Sequence, residues 1–238
     1  MQQDKLDALA NRWFPIARVE EVVARHVFQA QLLGQELAIW RDDAGAVNAW
    51  ENRCPHRGVR LSIGMNTGTE LRCQYHGWRY STNTGQCVFI PAHPDRKPAS
   101  VIRAKAHGCC ERYGFVWVNL CEEPARLPMP ELSGDTFTTF RSIHIDAPID
   151  RVSRFFDASG PPAAGAASAA PADAVLRVPG TTDADDFDVR LYLVPMSLEQ
   201  SIIHGYLTGK LPTEETLSML RSHDERLTEI RDAIESGA

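Results

Sequence analysis

Four side chains dominate the chemistry this sequence could perform: Cys54, His56, Cys73 and His76. They fall in two short stretches, ENRCPHRG and LRCQYHGWRY, each offering one thiol and one imidazole. A thiolate is a soft, charge-donating ligand, and a neutral imidazole is a weaker one. Two of each can close one tetrahedral zinc site. They can also hold a two-iron cluster unevenly, with the sulfurs on one iron and the imidazoles on the other. That arrangement localises an added electron on the histidine-bound iron and raises the potential above that of an all-cysteine cluster.

Spacing separates these options. One residue lies between Cys54 and His56, sixteen between His56 and Cys73, and two between Cys73 and His76. Zinc sites usually pair cysteine with cysteine and histidine with histidine, two to four residues apart. Here each loop carries one of each kind. Two such loops facing one another bring sulfur to sulfur and imidazole to imidazole, which suits two metals better than one. A zinc-stabilised binding module is the remote alternative.

The elements that must position these loops are short strands. FQAQLLGQELAIWRDDAGAVNAW has two apolar runs around Asp42–Asp43–Ala44–Gly45, a hairpin signal. ELRCQYHGWRYSTNTGQCVFIP repeats it, with Asn83–Thr84–Gly85 as the turn. In CCERYGFVWVNL, Phe115 and Trp117 alternate with Val116 and Val118, as in a buried strand. Residues 13–121 therefore read as a small β-sandwich or barrel, and the chain as mainly β. Residues 122–156 read as a connecting segment punctuated by Pro124, Pro128 and Pro130. Residues 157–180, rich in Ala, Pro and Gly, cannot bury enough apolar surface to order and read as a flexible linker. Within 181–238, FDVRLYLVPM is a strand candidate. A helix is expected from an N-cap at Thr213 after Pro212, with Leu217, Leu220, Leu227, Ile230 and Ile234 on one face.

Bulk properties exclude several classes. The chain has 238 residues, 43% of them apolar and 24% charged, with a net charge of −6 and no basic block. Nucleic acid and anionic membranes are not suggested as partners. The opening MQQDKLDALANRWFP does not read as a secretory signal, and no apolar run approaches a bilayer-spanning length. Six cysteines in such a chain fit a reducing cytoplasm and metal-binding thiols better than a disulfide framework. Cys87, Cys109, Cys110 and Cys121 have no partner at metal spacing and read as packed thiols.

CPHRG and CQYHGW resemble the two cluster-binding loops of Rieske [2Fe-2S] proteins. The resemblance covers residues 13–121. It implies that Cys54 and Cys73 bind one iron and that His56 and His76 bind the other. It further implies that Gly58 and Gly77 allow tight turns and that Trp78 packs beneath the second loop. Arg57, Arg60 and Arg79 stand near enough to support hydrogen bonding or to meet an acidic partner. Respiratory Rieske proteins carry two further cysteines that bridge the loops. Val59 and Tyr75 stand at those positions here. The chain is thus similar to the oxygenase and ferredoxin branch, and its potential is expected at the low end of roughly −150 to +300 mV, for want of the extra respiratory donors.

NRWFPIARVEEV and ERYGFVWVNL are similar to the N-terminal domain of Rieske ring-hydroxylating and demethylating oxygenase subunits. Those enzymes carry a mononuclear iron on two histidines and a carboxylate. The histidines after residue 121 are His144, His204 and His223, and none lies within ten residues of another. A triad from His144, His204 and one of Asp183, Asp185, Asp186 or Asp188 is not expected. His204 and His223 read as helix or surface residues. The C-terminal segment weakly resembles the last strand and helix of a shortened catalytic domain. The expected function is an electron-transfer oxidoreductase. It would take single electrons from a flavin or iron–sulfur reductase or a ferredoxin and pass them to a non-haem iron in a catalytic oxygenase subunit or in a catalytic domain that this chain has lost. Homo-oligomers are common in such systems. A complete oxygenase acting on an aromatic-type substrate is the alternative.

Overall fold

A computed structural model describes residues 9–82, 84–121, 137–158, 178–179, 188–208 and 213–237. The chain divides into two compact units, one spanning Asp4–Ala125 and one spanning Arg126–Ala238.

The first unit runs through β1 (Phe14–Arg18), β2 (Val27–Leu32), β3 (Gln35–Arg41), β4 (Val47–Glu51) and β5 (Met65–Asn66). It continues through β6 (Glu70–Arg72), β7 (Arg79–Ser81), β8 (Cys87–Phe89), β9 (Ala106–Arg112) and β10 (Phe115–Asn119). Among the described residues these strands form two antiparallel sheets. One has six strands in the order β1-β10-β9-β4-β3-β2, and the other has four in the order β5-β6-β7-β8. The hairpin expected around Asp42–Gly45 joins β3 to β4. The run before it holds two strands rather than one, because a tight Leu33–Gly34 turn folds β2 back on β3. In the second expected hairpin, β7 pairs with β8; its turn residue Asn83 lies outside the described residues.

The core that matters for the site lies between the two sheets. Trp40 on β3 and Trp50 on β4 meet edge to face at 5.2 Å. They share one apolar cluster with Leu71 on β6, Tyr80 on β7, Cys87 on β8 and both loop cysteines. Phe115 to Val118 are all buried on β10, so both faces of that strand are covered.

The second unit carries β11 (Phe137–Thr139), β12 (Ile143–Ile145), α1 (Ile149–Ala158), β13 (Val178–Pro179), β14 (Asp188–Pro195), β15 (Ser201–Thr208) and α2 (Thr213–Ser236). Its strands pair in the order β11-β15-β14-β13, with β12 also on β15. The expected connecting segment 122–156 therefore contributes two strands and most of a helix. Ile143 and Ile145, with exposed His144 between them, carry a two-residue apolar alternation too short to stand out in the sequence. Most of the expected linker, 159–177, lies outside the described residues. The stretch expected to hold one final strand is a hairpin, β14 and β15, turned at Ser197–Gln200. Leu227 and Ile234 on α2 are buried in the core, and Leu220 and Ile230 pack against it. Leu217, expected on that face, is 57% exposed; at about 100° per residue it lies off the edge of the stripe drawn by the others. Among the described residues, no helix is long and apolar enough to cross a membrane.

One buried histidine of the first unit has a measurable consequence. His107 on β9 takes a 2.8 Å hydrogen bond at Nε2 from the Gln35 amide. Burial, with the nearby Lys105 charge, pushes its pKa down to about 4 from an ordinary 6.5. Between those values the unfolded chain binds a proton that the folded chain refuses, so stability falls as pH is lowered through that window. Denaturant unfolding followed by tryptophan fluorescence should lose about 2 kcal/mol from this group between pH 7 and pH 5. In His107→Gln that part of the slope should vanish.

Candidate metal centre

The first ligand loop leaves β4 and ends at a 3-10 turn, Leu61–Ile63, before β5. The second sits at the tip of the β6–β7 hairpin. Both fold into the same turn. In the first, Cys54 N–H donates to the Val59 carbonyl and Gly58 N–H to the Cys54 carbonyl, each at 2.8 Å. In the second, Cys73 N–H donates to the Trp78 carbonyl at 2.8 Å and Gly77 N–H to the Cys73 carbonyl at 3.1 Å. Glycine stands four residues after cysteine in each, with φ of 71° at Gly58 and 69° at Gly77. That left-handed conformation is strained for residues with a β-carbon. The shared frame is set from cysteine to glycine, so the one-residue difference in histidine position fits within it.

The facing turns sort the donors by kind. Cys54 and Cys73 are buried in the inter-sheet core. Their thiols interact directly, and the Tyr75 and His76 backbone N–H groups donate to the Cys73 sulfur. Burial nevertheless holds the Cys73 thiol above its ordinary pKa. His56 and His76 lie outward, one half-buried and the other exposed. Their ring centroids are 4.8 Å apart. Desolvation first, then the neighbouring His76 and Arg57, lowers the His56 pKa, which favours the neutral imidazole that binds metals. Buried thiols with no metal would be a costly place for two negative charges. A cationic centre bridging sulfurs inside and imidazoles outside fits this donor set.

The surroundings depart from expectation in three places. Trp78 does not simply pack beneath its own loop: its ring stacks on His56 of the facing loop, at 4.2 Å and 9°. Tyr75 lies 3.8 Å from His76, tilted by 36°. The second departure concerns sulfur donors. Tyr80, fully buried on β7, places its hydroxyl 3.0 Å from the Cys54 sulfur. Burial raises its pKa first and the Cys54 contact adds to this, so the phenol stays protonated and able to donate. The expectation that extra donors are missing therefore fails at this residue. Tyr80 was visible in the sequence as a strand residue four positions after His76. Nothing local revealed that its hydroxyl reaches back under the other loop. The third departure is among the arginines. Arg60 pairs with Glu36, and Arg79 lies over the Phe89 ring at 4.3 Å and near Glu70 at 3.8 Å. Arg57 is exposed beside His56.

In the second unit, His204 is neither in a helix nor at the surface. It is buried on β15, a strand paired on both edges, with Nδ1 2.7 Å from the Ser142 hydroxyl. His223 lies on α2, stacked on Phe140 at 5.6 Å. His144 is exposed on β12. Asp183, Asp185 and Asp186 lie outside the described residues. Among the described residues of either unit, no three His, Cys, Asp or Glu side chains gather as they would around a single metal ion.

Comparisons with known proteins bear on the domain that carries these loops. Residues 12–105 match the Rieske [2Fe-2S] domain model. The chain is 53% identical over 153 residues to the oxidoreductase NdmD of Pseudomonas putida, covering 63% of this chain and 26% of that protein. It is 33% identical over 122 residues to the methylxanthine N1-demethylase NdmA of the same organism, covering 49% and 34%. It is 36% identical over 122 residues to the 3-chlorobenzoate-3,4-dioxygenase oxygenase subunit of Comamonas testosteroni, covering 50% and 27%. The chain thus spans about a quarter to a third of the length of these relatives. In fold it is similar to NdmA from Pseudomonas putida CBB5, with a TM-score of 0.74 at 19% identity over 99% of this chain and 83% of that one. Apo dicamba monooxygenase gives a TM-score of 0.74 at 20% identity, covering 96% and 86%. The two matched turns, their sulfur and imidazole pairs and the family match identify residues 12–105 of this chain as a Rieske domain, whose cofactor is a [2Fe-2S] cluster.

Proposed function

We propose that Cys54 and Cys73 hold one iron of the cluster and His56 and His76 the other, and that the chain is an oxygenase-type electron-transfer oxidoreductase. It would receive single electrons from a flavin or iron–sulfur reductase or a ferredoxin. It would deliver them to a non-haem iron in an oxygenase subunit or catalytic domain. The observation that carries this reading is the sorting of donors by two equivalent turns, with sulfurs in the core and imidazoles farther out, His56 half-buried and His76 exposed. A single zinc ion would draw all four donors to one point, and this arrangement gives it no reason to separate them by kind. The names of relatives point the same way: several are subunits or components of oxygenase systems. The second unit reads as a shortened relative of an oxygenase catalytic domain, since the structural neighbours match nearly the whole chain.

When bound, a Rieske cluster takes up and releases one electron at a time. The chain's own residues prepare its setting. The inter-sheet core excludes water from the sulfur side. The turns fix the imidazoles, and Trp78 limits how far the His56 ring can rotate. The exposed His76 edge is the short way out for an electron. Tyr80 donates to a sulfur that gains negative charge on reduction, and this favours the reduced state.

Anaerobically reconstituted protein should contain the iron and acid-labile sulfide of one [2Fe-2S] cluster and give a Rieske-type electron paramagnetic resonance signal when reduced. In His76→Ala that signal should disappear. Its persistence would remove His76 from the ligand set, and a colourless product holding one zinc would end the proposal. Tyr80→Phe should keep the cluster and lower its potential. A net hydrogen bond of about 1 kcal/mol corresponds to roughly 40 mV for a one-electron couple, readable in a redox titration.

A further inference from the structure

We propose that Glu36 is a positioning residue for the first cluster-binding loop, acting through Arg53 and Arg60. The inference rests on reading that loop as a ligand loop. The two loops are anchored differently. The second is closed at its neck by the β6–β7 ladder, in which Arg72 pairs with Arg79 immediately outside the turn. The first has no such ladder. It enters from β4 in the six-stranded sheet and leaves toward β5 in the four-stranded one. Its ends must be held together by side chains, or the loop's conformational freedom would work against metal capture.

Two tiers of contacts supply that closure. The inner tier is neutral. Asn52, fully buried, accepts a 2.7 Å hydrogen bond at Oδ1 from Ser62 N–H and donates a 2.9 Å bond from Nδ2 to the Ser62 hydroxyl. The outer tier is ionic and centres on Glu36 of β3. Arg60 engages both carboxylate oxygens through Nε, at 3.1 Å, and its terminal nitrogen. A terminal nitrogen of Arg53 lies 3.1 Å from the same carboxylate, and the other reaches the Gly58 carbonyl at 3.4 Å. Arg53 directly precedes Cys54, and Arg60 directly follows Val59, whose carbonyl closes the turn. One carboxylate therefore clasps both ends of the segment that carries Cys54 and His56. The Arg60 hydrogen bond holds the Glu36 carboxyl below its ordinary pKa, against the effect of burial.

Isolated exposed ion pairs contribute little, but a forked arginine and a shared carboxylate make a network. Partners behind a metal ligand commonly change metal retention by about 10-fold. Because both guanidiniums are exposed, salt should screen this clasp. The test uses the cluster-loaded full chain. The rate of cluster loss to an iron chelator is followed by visible absorbance from low to high sodium chloride. In the unaltered protein the rate should rise with salt. In Glu36→Gln it should be about tenfold faster at low salt and nearly flat with salt. The remaining cluster should keep its paramagnetic signature and show a higher potential, since one negative charge nearby is gone. Arg60→Lys, which keeps the charge and loses the fork, should fall between the two and serves if Glu36→Gln does not fold. A variant that releases its cluster at the unaltered rate, or faster by the same factor at every salt concentration, overturns the clasp alone. An unaltered chain that binds no cluster overturns the ligand assignment and the clasp with it.

Discussion

Everything in the first unit answers to one electrostatic constraint: two thiols sit in an apolar core, a setting in which buried negative charge is expensive. Burial raises the Cys73 thiol even though two backbone N–H groups point at its sulfur. A cationic metal pair held there, as proposed, would offset that cost. The imidazoles face the opposite condition. A metal-binding imidazole carries no charge of its own to bury or to neutralise, so such a group tolerates the surface. Sorting by charge and by depth is thus one solution to two problems.

That sorting needs a stiff frame, and the two sheets provide it from different directions. Trp40 and Trp50 form the floor on the six-stranded side. Leu71, Tyr80 and Cys87 come from the four-stranded side. Each strand is short, and several have only two or three residues. Their order comes from packing against one another more than from any local preference. A loop suspended between sheets cannot borrow rigidity from a ladder, so Asn52 and Glu36 tie it by side chains. The repeated turn is the economical part of the design. The same pair of backbone hydrogen bonds serves both cysteines, and the imidazoles vary within it.

The second unit teaches a different lesson about reading a single sequence. Its β14 strand and long helix were announced by an apolar run and by the stripe of Leu220, Leu227 and Ile234, but the partner strand β15 that makes the hairpin was not. The strands around Phe137 and Ile143 were not, because three-residue strands carry too little periodicity. His204 was misplaced for a related reason: between Ile203 and Gly205 it offers no sign that its ring turns inward to Ser142.

The proposed ligand set was legible in the chain because it depends on side-chain type and on spacings of a few residues. Cys54, His56, Cys73 and His76, with glycine four residues after each cysteine, carry it without reference to anything distant. What only the tertiary structure decided is the environment of those ligands. Tyr80 reaches Cys54 across 26 residues, Trp78 covers the other loop's histidine, and Glu36 closes a loop that begins 17 positions later at Arg53. Such contacts are set by which strands pair and which faces meet, and long-range pairing leaves no mark in local spacing.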